Sequence, residues 1–303
     1  MTQSVYRSGF IAIVGRTNVG KSTLMNALIG EKVAIVADRP QTTRFRIRGV
    51  LTRPAYQMVF IDTPGMHTPK NQLSRMMVAS AQGSLQDVDA ALVVVDAAAG
   101  VGPGDARMLQ VAGRCGAPVV VAVNKTDALS HAQLGDQLAK LAPMLPENTR
   151  EVLPVSARTG ENLSKLEAIL RELLPEGPQY YPEDMMTDQP EYRMAAEAIR
   201  EKALTLLCDE VPHGVGVDVT RMRPGAQGKM VVSACIYCER ETHKGIIIGK
   251  NGAMLKKIGS LARADLEALL GEPVYLDLWV KVSPGWRDNA GQVRSLGYID
   301  EDE

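Results

Sequence analysis

Only 4 cysteines, Cys115, Cys208, Cys235 and Cys238, occur in the 303-residue sequence. They are too few and too scattered for a disulfide framework in a chain of this length, and a reducing compartment is expected. No apolar stretch reaches the roughly 18 residues that suggest a membrane span. No basic segment followed by an apolar run precedes Ile11, so the expected location is the cytoplasm. An excess of one charge is also missing. Lys plus Arg number 34 against 35 Asp plus Glu, and the net charge of −1 neither suggests nor excludes a polyanionic partner. Internal repeats and low-complexity tracts are absent. What remains is an ordinary globular balance, 45% hydrophobic and 23% charged, in a chain long enough for about two domains.

Short Val/Ile-rich runs recur in the first half: "GFIAIVG", "YQMVFIDTPG", "DAALVVVDA", "APVVVAVNKTD" and "EVLPVSA". Each is continuous rather than alternating, as expected of strands buried on both faces of a mostly parallel sheet. Helical patterns lie between them, such as Ser22 to Ile29, Leu73 to Ser84, Gly104 to Gly113 and Leu163 to Leu174. Residues 1–175 therefore read as a doubly wound α/β domain. Prolines and acids interrupt periodicity over 176–191, which reads as a linker. Beyond it, over 192–303, the order becomes helix, strand, strand, two helices about a glycine turn, and strand, an α+β domain.

The run Gly15-Arg16-Thr17-Asn18-Val19-Gly20-Lys21-Ser22, followed by Thr23, satisfies G-x-x-x-x-G-K-[ST] between a strand and a helix. Glycines let successive N–H groups point inward, and the helix adds its positive end, so the loop suits phosphate. Lys21 can reach the β- and γ-phosphates and Ser22 can hold Mg²⁺. Asp62-Thr63-Pro64-Gly65 ends a strand. There Asp62 can hold the metal, and the Gly65 N–H can approach a γ-phosphate.

Asn124-Lys125-Thr126-Asp127 and Ser156-Ala157 end two further strands. A carboxylate at Asp127 accepts from two adjacent donors, which guanine offers and adenine does not, so GTP is the expected ligand. An unpaired carboxylate against ATP would cost several kcal/mol. Asn124 and Lys125 would brace the base, and Ala157 could donate its N–H to the guanine carbonyl. Four motifs in this order resemble the translation-factor-like class of P-loop GTPases.

Gln41-Thr42-Thr43-Arg44 precedes Asp62. A threonine there can complete the Mg²⁺ shell and contact the γ-phosphate, and either Thr42 or Thr43 suits that role. Met66 stands where many GTPases place the glutamine that orients water, and a thioether cannot do so. The chain thus resembles the subclass with a hydrophobic residue at this position, in which slow intrinsic hydrolysis is expected. The same resemblance implies a K⁺ ion beside Asn18, although Thr17 departs from the proline usual in relatives.

In the second domain, "THKGIIIGKNGAMLKKIGSLARADLEALL" places Gly249-Lys250-Asn251-Gly252 between two helical patterns. A G-x-x-G loop lets single-stranded nucleic acid approach the backbone and clamps about four nucleotides. Lys244, Lys250, Lys256 and Lys257 form a local basic cluster, and "IIIG", with Ile248 beside Gly245, supplies an apolar wall. The element order matches a bacterial, type II KH domain. Trp279 and Trp286 suit either base stacking or the core. Cys235 and Cys238 with His243 do not form a zinc site, because residues three apart on a strand face opposite ways.

The chain resembles the Era GTPase family through "GRTNVGKSTLMNAL", "QTTR", "DTPG", "NKTD", "YPED", "KGIIIGKNG" and "LWVKVSPGWRDN". That resemblance implies GTP/GDP and Mg²⁺ as ligands, and binding near the 3′ end of 16S-type ribosomal RNA. It also implies a role in small-subunit assembly. A monomer is expected. Two other readings are a non-catalytic nucleotide sensor, suggested by Met66, and a peripheral regulator at the inner face of the cell membrane. No basic amphipathic helix supports the latter.

Overall fold

The computed structural model describes residues 5–37, 39, 42–65, 71–225 and 228–298. Two compact units divide the chain. The first takes in Met1–Ala34, Thr43–Pro69 and Met76–Asp188, and the second Ile35–Thr42, Lys70–Arg75 and Gln189–Glu303. No helix among the described residues is long and apolar enough to cross a membrane.

The first unit is built on β1 (Arg7–Val14), β2 (Ile47–Arg53), β3 (Tyr56–Asp62), β4 (Ala90–Asp96), β5 (Val119–Asn124) and β6 (Thr149–Pro154). These form one sheet in the order β2-β3-β1-β4-β5-β6. All pairings are parallel except that of β2 with β3. Its helices are α1 (Lys21–Ile29), α3 (Pro103–Gly113), α4 (His131–Leu141), α5 (Leu163–Leu173) and α2 (Gln72–Gly83) from Met76 onward. Helices on both faces explain the unbroken runs: every residue of β4 and β5 is buried. Strand β2 is absent from the sequence reading because its segment, "IRGVLTR", is neither a continuous apolar run nor a clean alternation.

Strand order runs one way from β1 through β3 and the other way from β4, so the crevice beyond the C-terminal ends of β1 and β4 is the topological switch point where such folds bind ligands. The loop into α1 opens there. The stretch 176–188, read from its sequence as part of a linker, is held along the first unit. Buried Gln57 accepts the N–H groups of Tyr180 and Tyr181 at 2.8 and 3.0 Å and donates to the Tyr181 carbonyl at 2.9 Å. Ser8 Oγ donates to the Pro178 carbonyl at 2.5 Å.

The second unit contains α6 (Glu191–Leu206), β7 (Gly216–Pro224), β8 (Met230–Cys238), α7 (Glu241–Ile248), α8 (Ala253–Leu270), β9 (Val274–Val282) and α9 (Ala290–Ser295). Its sheet runs β7-β8-β9, antiparallel then parallel. Ala195, Ile199 and Ala203 on α6 and Ile258, Ala262 and Leu266 on α8 each recur every fourth residue and form ridges that meet over the sheet. Each leucine or isoleucine buried this way contributes about 1.5–3 kcal/mol. Cys238 lies in this core whereas Cys235 belongs to the opposite face, and no metal-binding cluster exists among the described residues. Trp286 is fully buried, its indole N–H donating to the Gly214 carbonyl at 2.9 Å, so it is a core residue. Trp279 is 65% exposed.

Candidate functional site

The phosphate loop owes its curl to Gly15, Asn18 and Gly20, all at positive φ. Gly20 is also sterically required, since a Cβ there would lie 2.4 Å from Asn124 Nδ2. Lys21 opens α1 yet is buried, and its ammonium folds back over the loop to the carbonyls of Arg16 and Gly15 at 2.9 and 3.3 Å. Burial pushes its pKa below the ordinary lysine value, opposed by Asp62.

At the start of α1, Ser22 Oγ donates to Asp62 Oδ2 at 2.6 Å and lies 2.9 Å from Thr43 Oγ1, which is itself 3.3 Å from the same carboxylate oxygen. Asp62 is fully buried and its Oδ1 has no hydrogen-bond partner among the described residues. Burial pushes its pKa up, with Lys21 the leading opposing influence. A buried carboxylate with an orphaned oxygen beside two hydroxyls is a hard-oxygen set suited to Mg²⁺. The two threonines are separated by this geometry. Thr42 Oγ1 turns to the Arg39 and Ala37 carbonyls at 2.7 and 3.1 Å. Thr63 Oγ1 donates to the Ile13 carbonyl at 2.9 Å, anchoring the turn, and Pro64 and Gly65 are buried beside it. A Cβ on Gly65 would stand 2.8 Å from Thr17 Cα, so that backbone passes directly under the phosphate loop. Met66 and Gln41 lie outside the described residues.

At the other end, Asp127 accepts from Ser156 Oγ at 2.6 Å and pairs with the Arg158 guanidinium. The Ser156 hydroxyl, followed by Arg158, holds its pKa below the usual aspartate value. Asn124 joins three segments: its amide donates to the Val19 carbonyl at 2.9 Å and accepts the Ala157 N–H at 3.0 Å. That N–H, expected from sequence to meet the guanine carbonyl, is thus held by Asn124 in this structure. Lys125 adopts the left-handed conformation and reaches Asp96 at 2.6 Å and the Asn18 carbonyl at 2.8 Å. Thr126 Oγ1 lies 2.9 Å from Glu161 Oε2 and 3.0 Å from the Val155 carbonyl, its single proton shared between the two acceptors. Arg16 turns away to Asp105 at 2.8 Å and the Gly100 carbonyl at 3.1 Å. Asp105, Arg158, Asp96 and Glu161 escape sequence reasoning; of these only Asp105 carries a local signal, as the capping acid of α3.

In the second unit, Gly249, Asn251 and Gly252 all take positive φ in the turn between α7 and α8. Lys250, Asn251, Lys256, Lys257 and Gly245 are exposed, while Lys244 and Ile248 are partly covered. A groove of about 520 Å³ runs between α8 and β9, lined by Gly252, Leu255, Lys256, Gly259, Tyr275 and Leu278 among others. Of the "IIIG" run, Ile247 points into the core, Ile246 is exposed and Ile248 is partly covered, while Leu255 and Leu278 line the groove.

Family models match the chain over 10–125, as a 50S ribosome-binding GTPase, and over 210–287, as a KH domain. GTPase Era of Caldanaerobacter subterraneus subsp. tengcongensis is 49% identical over 97% of this chain and 98% of its own. The Clostridioides difficile GTPase Era is 47% identical over 98% and 100%. Two solved Era structures are 42% identical over 97% of this chain and 100% of theirs. One, an Aquifex aeolicus variant bound to GDP and tetrafluoroaluminate, superposes with a TM-score of 0.91. The other, bound to MgGDPNP and nucleotides 1506–1542 of 16S ribosomal RNA, gives 0.92. A P-loop sequence between β1 and α1, a KH domain, and near-half identity along almost the whole length place this chain in the Era family of GTPases.

Proposed function

We propose that the chain binds GTP with Mg²⁺, hydrolyses it to GDP and phosphate, and uses the nucleotide state to control binding to the 3′-terminal region of small-subunit ribosomal RNA during assembly of that subunit. The observation that supports this most directly is the Ser22, Thr43 and Asp62 cluster with its orphaned buried oxygen, set against the phosphate loop. Those residues would hold Mg²⁺, which when bound would supply charge neutralisation at the phosphates. Lys21 bridges the terminal phosphates, and Asp127, braced by Ser156, selects guanine. The Thr43 side supplies the switch, because releasing its hydroxyl frees the loop before it. The Asn18 amide, on an exposed residue with no hydrogen bond among the described residues, serves as a ligand for K⁺.

RNA is held by the exposed G-x-x-G turn and by the groove along α8, where Lys256 meets phosphates and Leu255 and Leu278 face bases. The protein works as a cytoplasmic monomer on this reading. Steady-state GTP hydrolysis, with and without 3′-terminal RNA and in potassium and sodium salts, tests it. RNA and potassium should each raise turnover; no hydrolysis in any condition would leave a nucleotide sensor.

A further inference from the structure

The outer face of the second unit's sheet differs in kind from the face under α6 and α8. Leu276, Leu278 and Val280 of β9 point into the core. The alternate residues Tyr275 and Trp279 project outward and are 61% and 65% exposed, more than any other large apolar side chain among the described residues. On a strand they stand about 13 Å apart, further than one base can span. Register across the sheet aligns Arg223 with Val231 and Tyr275, Arg221 with Ser233 and Asp277, and Tyr237 with Lys281.

Arg221, Arg223 and Lys281 are exposed, and none forms an ion pair among the described residues. The face also carries two carboxyls, of which Asp277 is engaged. Asp277 accepts the Trp279 indole N–H at 3.1 Å, which fixes the ring, and Asp218 is partly buried. Strand β9 lies at the sheet edge, and Tyr275 also lines the groove beside α8. The ring faces therefore begin where the groove ends. Open aromatic faces flanked by uncommitted cations suit stacked bases and phosphates, whereas a protein partner would be met by a continuous apolar surface.

We propose that β9 carries a second, stacking site for single-stranded RNA: a strand leaving the groove turns over the sheet edge and stacks bases on Tyr275 and Trp279, its phosphates toward Arg221, Arg223 and Lys281. This rests on the RNA-binding reading of the groove. Two RNA probes separate the two ideas: a tetranucleotide, about the length one G-x-x-G loop clamps, and one about three times longer. Trp279→Ala should weaken the longer RNA about tenfold and leave the tetranucleotide unchanged. Trp279→Phe should retain most of the affinity, and Gly252→Asp should remove binding of both. The unsubstituted protein supplies an independent readout, since its 2 tryptophans are Trp279 and the buried Trp286. The longer RNA should quench the exposed emission and the tetranucleotide should not. If Gly252→Asp removes binding while Trp279→Ala and Tyr275→Ala bind the longer RNA normally and emission is unquenched, the stacking site is refuted and the groove stands. Equal losses for both lengths on Trp279→Ala would also overturn it. If Gly252→Asp changes nothing, the groove reading fails and this inference fails with it.

Discussion

Two glycine-rich loops, each leading into a helix and each carrying a lysine, stand in this chain for opposite modes of binding. Lys21 of the first is buried, tied to two carbonyls of its own loop, with an orphaned carboxylate oxygen nearby. Lys250 of the second is exposed, in a turn whose three left-handed residues hold the backbone open. On the proposed reading the first surrounds one small ligand and the second presents backbone to a strand that continues past it, so that burial gives discrimination at the first and openness tolerates length at the second.

The sharpest way to break this contrast is to close the second loop alone. Gly252→Asp has no atom within 4 Å of the new Cβ but places a side chain at φ +77, a strained backbone conformation, so its circular dichroism and melting curve are recorded beside the binding data, whereas a Cβ at Gly249 would in addition stand 2.7 Å from Met254 Cβ and disturb the turn itself. RNA binding, followed by fluorescence anisotropy, should be abolished by Gly252→Asp while GTP affinity is unchanged. Breaking the first loop's selectivity is the next largest effect. Asp127→Asn should weaken GTP about tenfold to a hundredfold by removing the carboxylate that meets two donors, and should favour xanthine nucleotides. Calorimetric titration with GTP and XTP decides this, and equal affinities before and after substitution would remove Asp127 from the base site.

A smaller effect concerns stability. The folded Asp62 has a raised pKa, so the folded chain holds that proton more tightly than the unfolded chain. The stabilisation is present at acid pH and is lost as pH rises through the folded value. At neutral pH the buried carboxylate is therefore a liability in the absence of metal. Asp62→Asn should raise the melting temperature of nucleotide-free protein by a few degrees at neutral pH, with the difference shrinking toward acid pH, while Mg²⁺-dependent GTP binding is lost. An unchanged melting curve would contradict the role of burial. The smallest expected effect belongs to Lys250→Ala, which should lower the slope of log affinity for single-stranded RNA against log salt by about 0.7, one phosphate contact.

How much of this was legible in the sequence differs between the two units for physical reasons. Strands β4 and β5, buried on both faces, appear as unbroken Val/Ala runs, and the phosphate loop has a spacing that little else produces. By contrast β2, at the sheet edge, shows neither period cleanly. Thr42 and Thr43 are adjacent and chemically equivalent in sequence, and only the fold turns one hydroxyl to Asp62 and the other to its own loop. Trp279 and Trp286 likewise look alike until one is seen under Gly214 and the other in the open. Arg158 could not be paired with Asp127 from sequence because they sit in separate motifs joined only through the β5 and β6 termini.

The amide of Asn124 holds the Val19 carbonyl with its nitrogen and the Ala157 N–H with its oxygen. One planar group thus ties the loop before α1 to the turn after β6, and neither can swing outward without losing its grip on the other. On the proposed reading, in which these two loops hold the phosphates and the base, nucleotide exchange is a concerted event: release of the base loosens the cradle of the phosphates in the same motion.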